Sequence, residues 1–288
     1  MALQKLKDYY ILGKVRLTVM VLCSGLVGFF LASGAVPNWH KMLWFAAGTF
    51  LVIAGANAFN QVAERSLDRL MKRTAKRPLP SGRMTVREAV IVSTMMSAAG
   101  LGILAWATNP LTFGLAALAM AVYLFLYTPL KTVSQWSTFA GAISGAIPAL
   151  MGWAAVRNDL GLPAWAIFGI VFFWQFPHTW SIASTYKDDF LRAGYRVLPL
   201  VDPEGRRTRG QVIILSMALA LVSLLPAALG VVGPIYIFGA VLAGVAFNGC
   251  AVRYGFGRTR RRSGQLMAAS LVYMPVILAL LLVDRRVV

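Results

Sequence analysis

Seven stretches of the chain contain no Asp, Glu, Lys or Arg: residues 17–40, 42–63, 89–130, 132–156, 160–186, 210–252 and 263–283. Each is long enough to span a membrane, because about 20 apolar residues rising about 1.5 Å apiece cover about 30 Å of hydrocarbon. Two of them, 89–130 and 210–252, have room for two helices, and each holds a break: Asn109-Pro110 in the first, Gly230 to Pro234 in the second. The pattern predicts nine helices, at about 17–36, 42–62, 87–107, 111–130, 137–156, 163–184, 211–230, 234–252 and 265–283. Helices satisfy their own backbone groups, as lipid requires. The fold class is therefore all-α: a polytopic membrane protein with about nine transmembrane helices. It reads as one integral-membrane domain over residues 1–288, with no soluble domain.

Composition agrees with that reading: 58% of residues are hydrophobic and 13% charged, against about a quarter charged in a soluble domain. The net charge of +18 would suit a nucleic-acid binder, but its distribution does not. With the N-terminus inside, 24 of the 28 Lys and Arg residues fall in inside segments, leaving Lys41, Arg157, Arg285 and Arg286 outside. That asymmetry is the positive-inside rule, and no nucleic-acid partner is expected. Arg258 to Arg262 reads as part of the same topology signal, touching anionic headgroups. Cys23 and Cys250 both fall within predicted spans, so no disulfide framework is indicated. The apolar run at 17–36 is long for a cleaved signal peptide and reads as a retained first span.

The two longest loops, 63–86 and 185–210, follow the second and sixth helices and lie on the inside, which hints at a parallel repeat of helix pairs. With Glu88, just past the end of the first, they hold seven of the ten acidic residues. In the first, Asn60, Glu64 and Asp68 are spaced i, i+4, i+8 and form one stripe along a helix. Arg65, Arg69, Lys72, Arg73, Lys76 and Arg77 surround them. Oxygen-bearing side chains suit Mg²⁺, which binds one or two carboxylates plus substrate phosphate oxygens, while Arg and Lys take the remaining anionic charge. Spacing alone equally allows Glu64 and Asp68 simply to pair with nearby Arg residues. A second cluster, Tyr186-Lys187-Asp188-Asp189, ends the sixth helix at the same depth. Two acidic clusters at one depth, each beside cations, point to a two-metal diphosphate clamp. A transporter is the reading from another class, but no Asp, Glu, Lys or Arg lies at mid-membrane, where coupling sites sit.

Asn60-x3-Glu64-x3-Asp68 resembles the first motif of the UbiA-type intramembrane prenyltransferases. The longer run from Phe59 to Arg83, with Met71, Arg73-Thr74, Arg77-Pro78-Leu79-Pro80 and Gly82, is similar to the protohaem IX farnesyltransferases within that superfamily. Further matches are Tyr127-Thr128, Lys131, Gly141, Gly145, Pro148, Gly152-Trp153, Pro177-His178-x-Trp180, Tyr186 to Phe190, Ala193-Gly194, Leu198-Pro199 and Tyr273-x-Pro275. They run from about residue 10 to 284. Departures are Glu64 where many members carry Asp, Ser134 and Ser137 after Lys131, and adjacent Asp188-Asp189 instead of a spaced pair.

The resemblance implies a UbiA-type helical bundle that moves a farnesyl group from farnesyl diphosphate onto a vinyl group of haem B, giving haem O. It implies Mg²⁺ as cofactor, and Asn60, Glu64, Asp68, Asp188 and Asp189 as catalytic metal–diphosphate residues. Arg73, Arg77, Lys131 and Lys187 are the implied diphosphate contacts. Glu64→Gln and Asp188→Asn are each expected to abolish turnover. Aromatic faces near Tyr123, Phe125 and Tyr127 suit an allylic cation, or simply an interfacial belt. His178 lies ten residues before Asp188, about 15 Å deeper on a helix, and either ligates haem iron or is hydrogen-bonded inside the bundle. A quinone precursor or another tetrapyrrole is the alternative acceptor. The implied setting is a bacterial plasma (inner) membrane with the N-terminus and active-site loops cytoplasmic, or else the mitochondrial inner membrane. The implied partners, besides substrates and lipid bilayer, are a haem A synthase or a terminal oxidase.

Overall fold

The computed structural model describes residues 2–286. Among the described residues nine long helices form the bundle: α1 Val15–Ala32, α2 Trp39–Ala63, α3 Val86–Ala107, α4 Pro110–Val133, α5 Ser137–Arg157, α6 Leu162–Thr185, α7 Arg206–Ala228, α8 Pro234–Gly255 and α9 Arg260–Val283. All but α6 are long and apolar enough to cross a membrane by composition alone. In α6, Gln175, His178, Thr179 and Ser181 dilute an equally long apolar run. No strand occurs among the described residues, only an isolated bridge between Val232 and Arg285.

The helix ends follow from local chemistry. Asn38, Thr85, Asn109 and Thr259 each accept a bond from a first-turn backbone N–H through their side chains, the contact that makes such residues good N-caps. Pro110 sits at the first position of α4, where its missing N–H costs nothing. The α7–α8 break passes through Gly230, at φ +74°. Within α4, residues Val122–Tyr127 wind as a π-helix, a local form often found at functional sites. Four short helices among the described residues escape the charge-gap pattern: Ala2–Leu12 before α1, Arg65–Leu70 after α2, and Lys187–Arg192 and Leu198–Val201 after α6.

Helix α5 is the most enclosed of the apolar spans, packed against α1, α4 and α6. Its crossing with α1 relies on two glycines. A Cβ on Gly152 would run into the Gly25 carbonyl, and one on Gly28 into the Ala149 carbonyl. Close backbone approach through small residues replaces the hydrophobic drive that lipid removes. Outward-facing Trp106, Phe125, Leu221 and Phe238 are exposed, as a lipid-facing rim requires. Cys23 and Cys250 are unpaired.

Candidate active site

A cavity of about 740 Å³ runs through the bundle. Its polar end is lined by Lys14, Glu64, Asp68, Arg73, Arg77 and Lys131, and its far wall includes Trp174, Gln175 and His178. The apolar lining comes partly from α2 and α4 (Val52, Ala116, Met120) and partly from α5, α6 and α9 (Met151, Val171, Met274). Leu17 and Met20 of α1 also line it and are exposed.

The acidic stripe survives a break in its helix. α2 ends at Ala63 and a new turn begins at Arg65, yet Glu64 N–H still donates to Asn60 O (2.9 Å) and Asp68 N–H to Glu64 O (2.8 Å). All three side chains are buried, with cations as partners. Lys131 Nζ lies 2.6 Å from Glu64 Oε1, and Arg77 Nη1 lies 2.9 and 2.7 Å from the two Asp68 oxygens. Lys14 Nζ donates to Asn60 Oδ1 at 2.7 Å, while Asn60 Nδ2 donates to Thr128 Oγ1 at 3.1 Å. Lys14 takes a left-handed backbone, φ 46°, at the junction between the N-terminal helix and α1. Burial, then the nearby charges of Arg77 and Lys131, bring its ammonium down to about 7. Arg65, Arg69, Lys72 and Lys76 are exposed and lie outside the cavity lining.

The second loop meets the first without facing it as a mirror image. Asp188 and Lys187 are exposed and outside the cavity lining. Asp189 is buried, and its oxygens accept the backbone N–H groups of Lys72 (3.2 Å) and Arg73 (3.1 Å) and pair with Arg192. Burial by itself would raise this carboxyl, but those N–H groups with Arg192 and Arg73 outweigh it and hold it below the usual range. Arg73 also lies over the Tyr186 ring, 5.4 Å from its centroid. The same loop sends Phe190, Tyr195 and Val197 to the cavity wall. Burial raises the Tyr195 phenol well above its ordinary range.

Tyr123 and Tyr127 from the π-helical turn line the cavity, whereas Phe125 between them points outward. The two tyrosine rings are 5.3 Å apart, Lys131 Nζ is 4.3 Å from the Tyr127 ring, and Tyr123 OH donates to Asn57 Oδ1 at 3.0 Å. Elsewhere on the wall, His178 stacks on Trp174 at 4.4 Å, with its Nδ1 2.7 Å from Ser270 Oγ.

Sequence reasoning missed Lys14, Tyr195 and Gln175. Lys14 carried one signal, as the first cation of a Lys-x-Arg step bordering a span, but that reads equally as topology. No group of three or more His, Cys, Asp or Glu able to enclose a metal occurs among the described residues. The oxygen donors of Asn60, Glu64 and Asp68 instead suit a hard cation completed by substrate oxygens.

Against known proteins, residues 21–282 match the UbiA prenyltransferase family. The chain is 42% identical to protoheme IX farnesyltransferase of Solibacter usitatus, over 97% of this chain and 99% of that one. In fold it is similar to a digeranylgeranylglyceryl phosphate synthase, with a TM-score of 0.82 at 18% identity over 98% of both chains. It also resembles a UbiA homolog from Archaeoglobus fulgidus bound to GPP and Mg²⁺, with a TM-score of 0.64 at 15% identity over 95% of this chain and 99% of that one. A family match over nearly the whole bundle, and full-length kinship with a named prenyltransferase, make this chain an integral-membrane member of the UbiA prenyltransferase family.

Proposed function

We propose that the protein transfers the farnesyl group of farnesyl diphosphate to a vinyl group of haem B, making haem O and releasing diphosphate. One observation carries the reading: a single cavity is lined by carboxylates and cations, by the imidazole of His178 and by apolar helix walls, with the exposed Leu17 and Met20 among its lining. The kinship with protoheme IX farnesyltransferases supports the same donor and acceptor.

At the polar end, Glu64 and Asp68, with Asn60 beneath them, are the residues that would hold Mg²⁺. The bound ion would neutralise diphosphate charge as the leaving group departs. Arg77 and Lys131 already sit on those carboxylates and line the cavity, so each can turn to a phosphate oxygen. Arg73 and Lys14 add two more donors to the same pocket. Preorganised cations at the place where charge develops are the main source of rate here. Asp188 and Lys187 lie too far into solvent for that role, and we assign Asp189 to holding the loop that carries Arg73.

The carbon chemistry follows. The C1–O bond of the farnesyl group breaks, and diphosphate leaves with the electron pair. The terminal vinyl carbon supplies its π electrons to C1, forming the new C–C bond and leaving a cation on the carbon next to the porphyrin. Water adds there and loses a proton, giving the hydroxyethylfarnesyl group. The Tyr123 and Tyr127 rings offer π faces to the allylic cation. Apolar helix walls keep water from the cation before the C–C bond forms. His178 presents an imidazole to haem iron at the far wall.

The polar end faces the cytoplasm in this reading, since 24 of 28 cations lie on that side, and the membrane is a bacterial plasma membrane. A haem A synthase or terminal oxidase is the membrane protein that would consume the product. The test is purified protein in detergent with haem B and farnesyl diphosphate, with Mg²⁺ or with EDTA, read by mass spectrometry. Mg²⁺-dependent haem O is the expected product. Unchanged haem B from a folded sample, with a quinone precursor prenylated instead, would replace the acceptor.

A further inference from the structure

His178 is held by two neighbours that take no part in the chemistry above. Trp174, one turn earlier on α6, lies nearly parallel to the imidazole, at 15° and 4.4 Å between centroids. Its indole N–H donates to the backbone oxygen of Ser270 on α9 at 2.8 Å, tying the two helices together. The Ser270 side chain is fully buried and touches two groups: His178 Nδ1 at 2.7 Å and the Met267 carbonyl at 2.6 Å.

A hydroxyl has one proton to give, and a carbonyl only accepts. The Ser270 proton therefore goes to Met267, and the Ser270 oxygen is left to accept from His178. That places the imidazole proton on Nδ1 and leaves the lone pair on Nε2, the nitrogen with no hydrogen bond among the described residues. Outer partners of this kind set the tautomer, orientation and basicity of a ligating imidazole. We propose that Ser270 is a positioning residue which, with the Trp174 stack, presents Nε2 of His178 to the iron of the haem acceptor. The proposal rests on haem B being the acceptor and adds the residue that decides which nitrogen meets it.

The experiment titrates ferrous haem B into the purified full-length protein and records the iron–imidazole stretch by resonance Raman, alongside steady-state farnesyl transfer. Wild type should show the band, and His178→Ala should lose it. Ser270→Ala should keep a folded bundle but shift the band to lower frequency, because the imidazole loses the acceptor that makes it more basic. KM for haem should rise by about 10-fold, with kcat changing less. Ser270→Thr, which keeps the hydroxyl, should bring both back toward wild type. A band in Ser270→Ala identical to wild type would overturn the positioning role. A band that persists in His178→Ala, in an enzyme that still farnesylates haem, would overturn the ligand and leave the acceptor standing. Failure of wild type to bind or farnesylate haem would remove the acceptor, and this proposal with it.

Discussion

Two segments of this chain look alike on paper: Glu64 and Asp68 after α2, and Asp188 and Asp189 after α6. Each is a pair of acids beside cations at a helix end. The bundle uses them differently. Glu64 and Asp68 stand on the cavity wall, and each holds a cation that also lines it. Asp189 turns away from the cavity to gather the backbone of Lys72 and Arg73, and Asp188 stays in solvent. In the proposed reading, one pair meets the substrate, while one acid of the other pair shapes the loop that does. A carboxylate spent on two backbone N–H groups has little left for a metal, so acid spacing identifies a region but not a role.

The comparison can be broken at its strongest point first. EDTA should stop turnover and Mg²⁺ should restore it; metal-independent transfer would remove the reason for placing acids on the wall. Glu64→Gln and Asp68→Asn should each lower kcat/KM by on the order of 10³-fold in a protein that still inserts. Normal rates in both variants would assign the pair to structure alone. Asp189→Asn sharpens the contrast. It weakens the grip on the Arg73 loop, so KM for farnesyl diphosphate should rise by about 10- to 100-fold, with a smaller change in kcat. A kcat collapse at unchanged KM would instead put Asp189 in contact with the reacting groups. The smallest effect is expected for Asp188→Asn, within about 2-fold of wild type, as for an exposed surface group away from the site. Abolished turnover there would return both members of the second pair to the metal.

That last expectation reverses the one drawn from the motif, and the reason is physical. A motif gives spacing, and spacing gives direction only while one helix continues. The stripe from Asn60 to Asp68 was legible because its i to i−4 bonds continue through the break at Glu64. The helix breaks at Asn109-Pro110 and Gly230 were legible because Pro and Gly act locally. Asp189 was not, since its partners are 116 and 117 residues away. The N-terminal segment lies before the first predicted span, yet Asp8 is buried against Arg83, and Gln61 donates to the carbonyls of Ile11 and Leu12. Lys14 reaches Asn60 across 46 residues by way of a left-handed turn. Ser270 shows nothing in the chain beyond a small residue in an apolar span. Each of these depends on which helix lies beside which.

The wide turn at Val122–Tyr127 also sets phase between the two halves of α4. Upstream, α4 leans its small residues on its neighbours; downstream, it must aim Lys131 at Glu64. Six residues at the wide pitch turn through roughly what five do in an α-helix, about 500°, so with all six wound as α-helix Lys131 would swing about a quarter of the way round the axis. The extra residue acts as an angular offset: it lets one helix satisfy lipid along most of its length and still arrive at the active site facing inward.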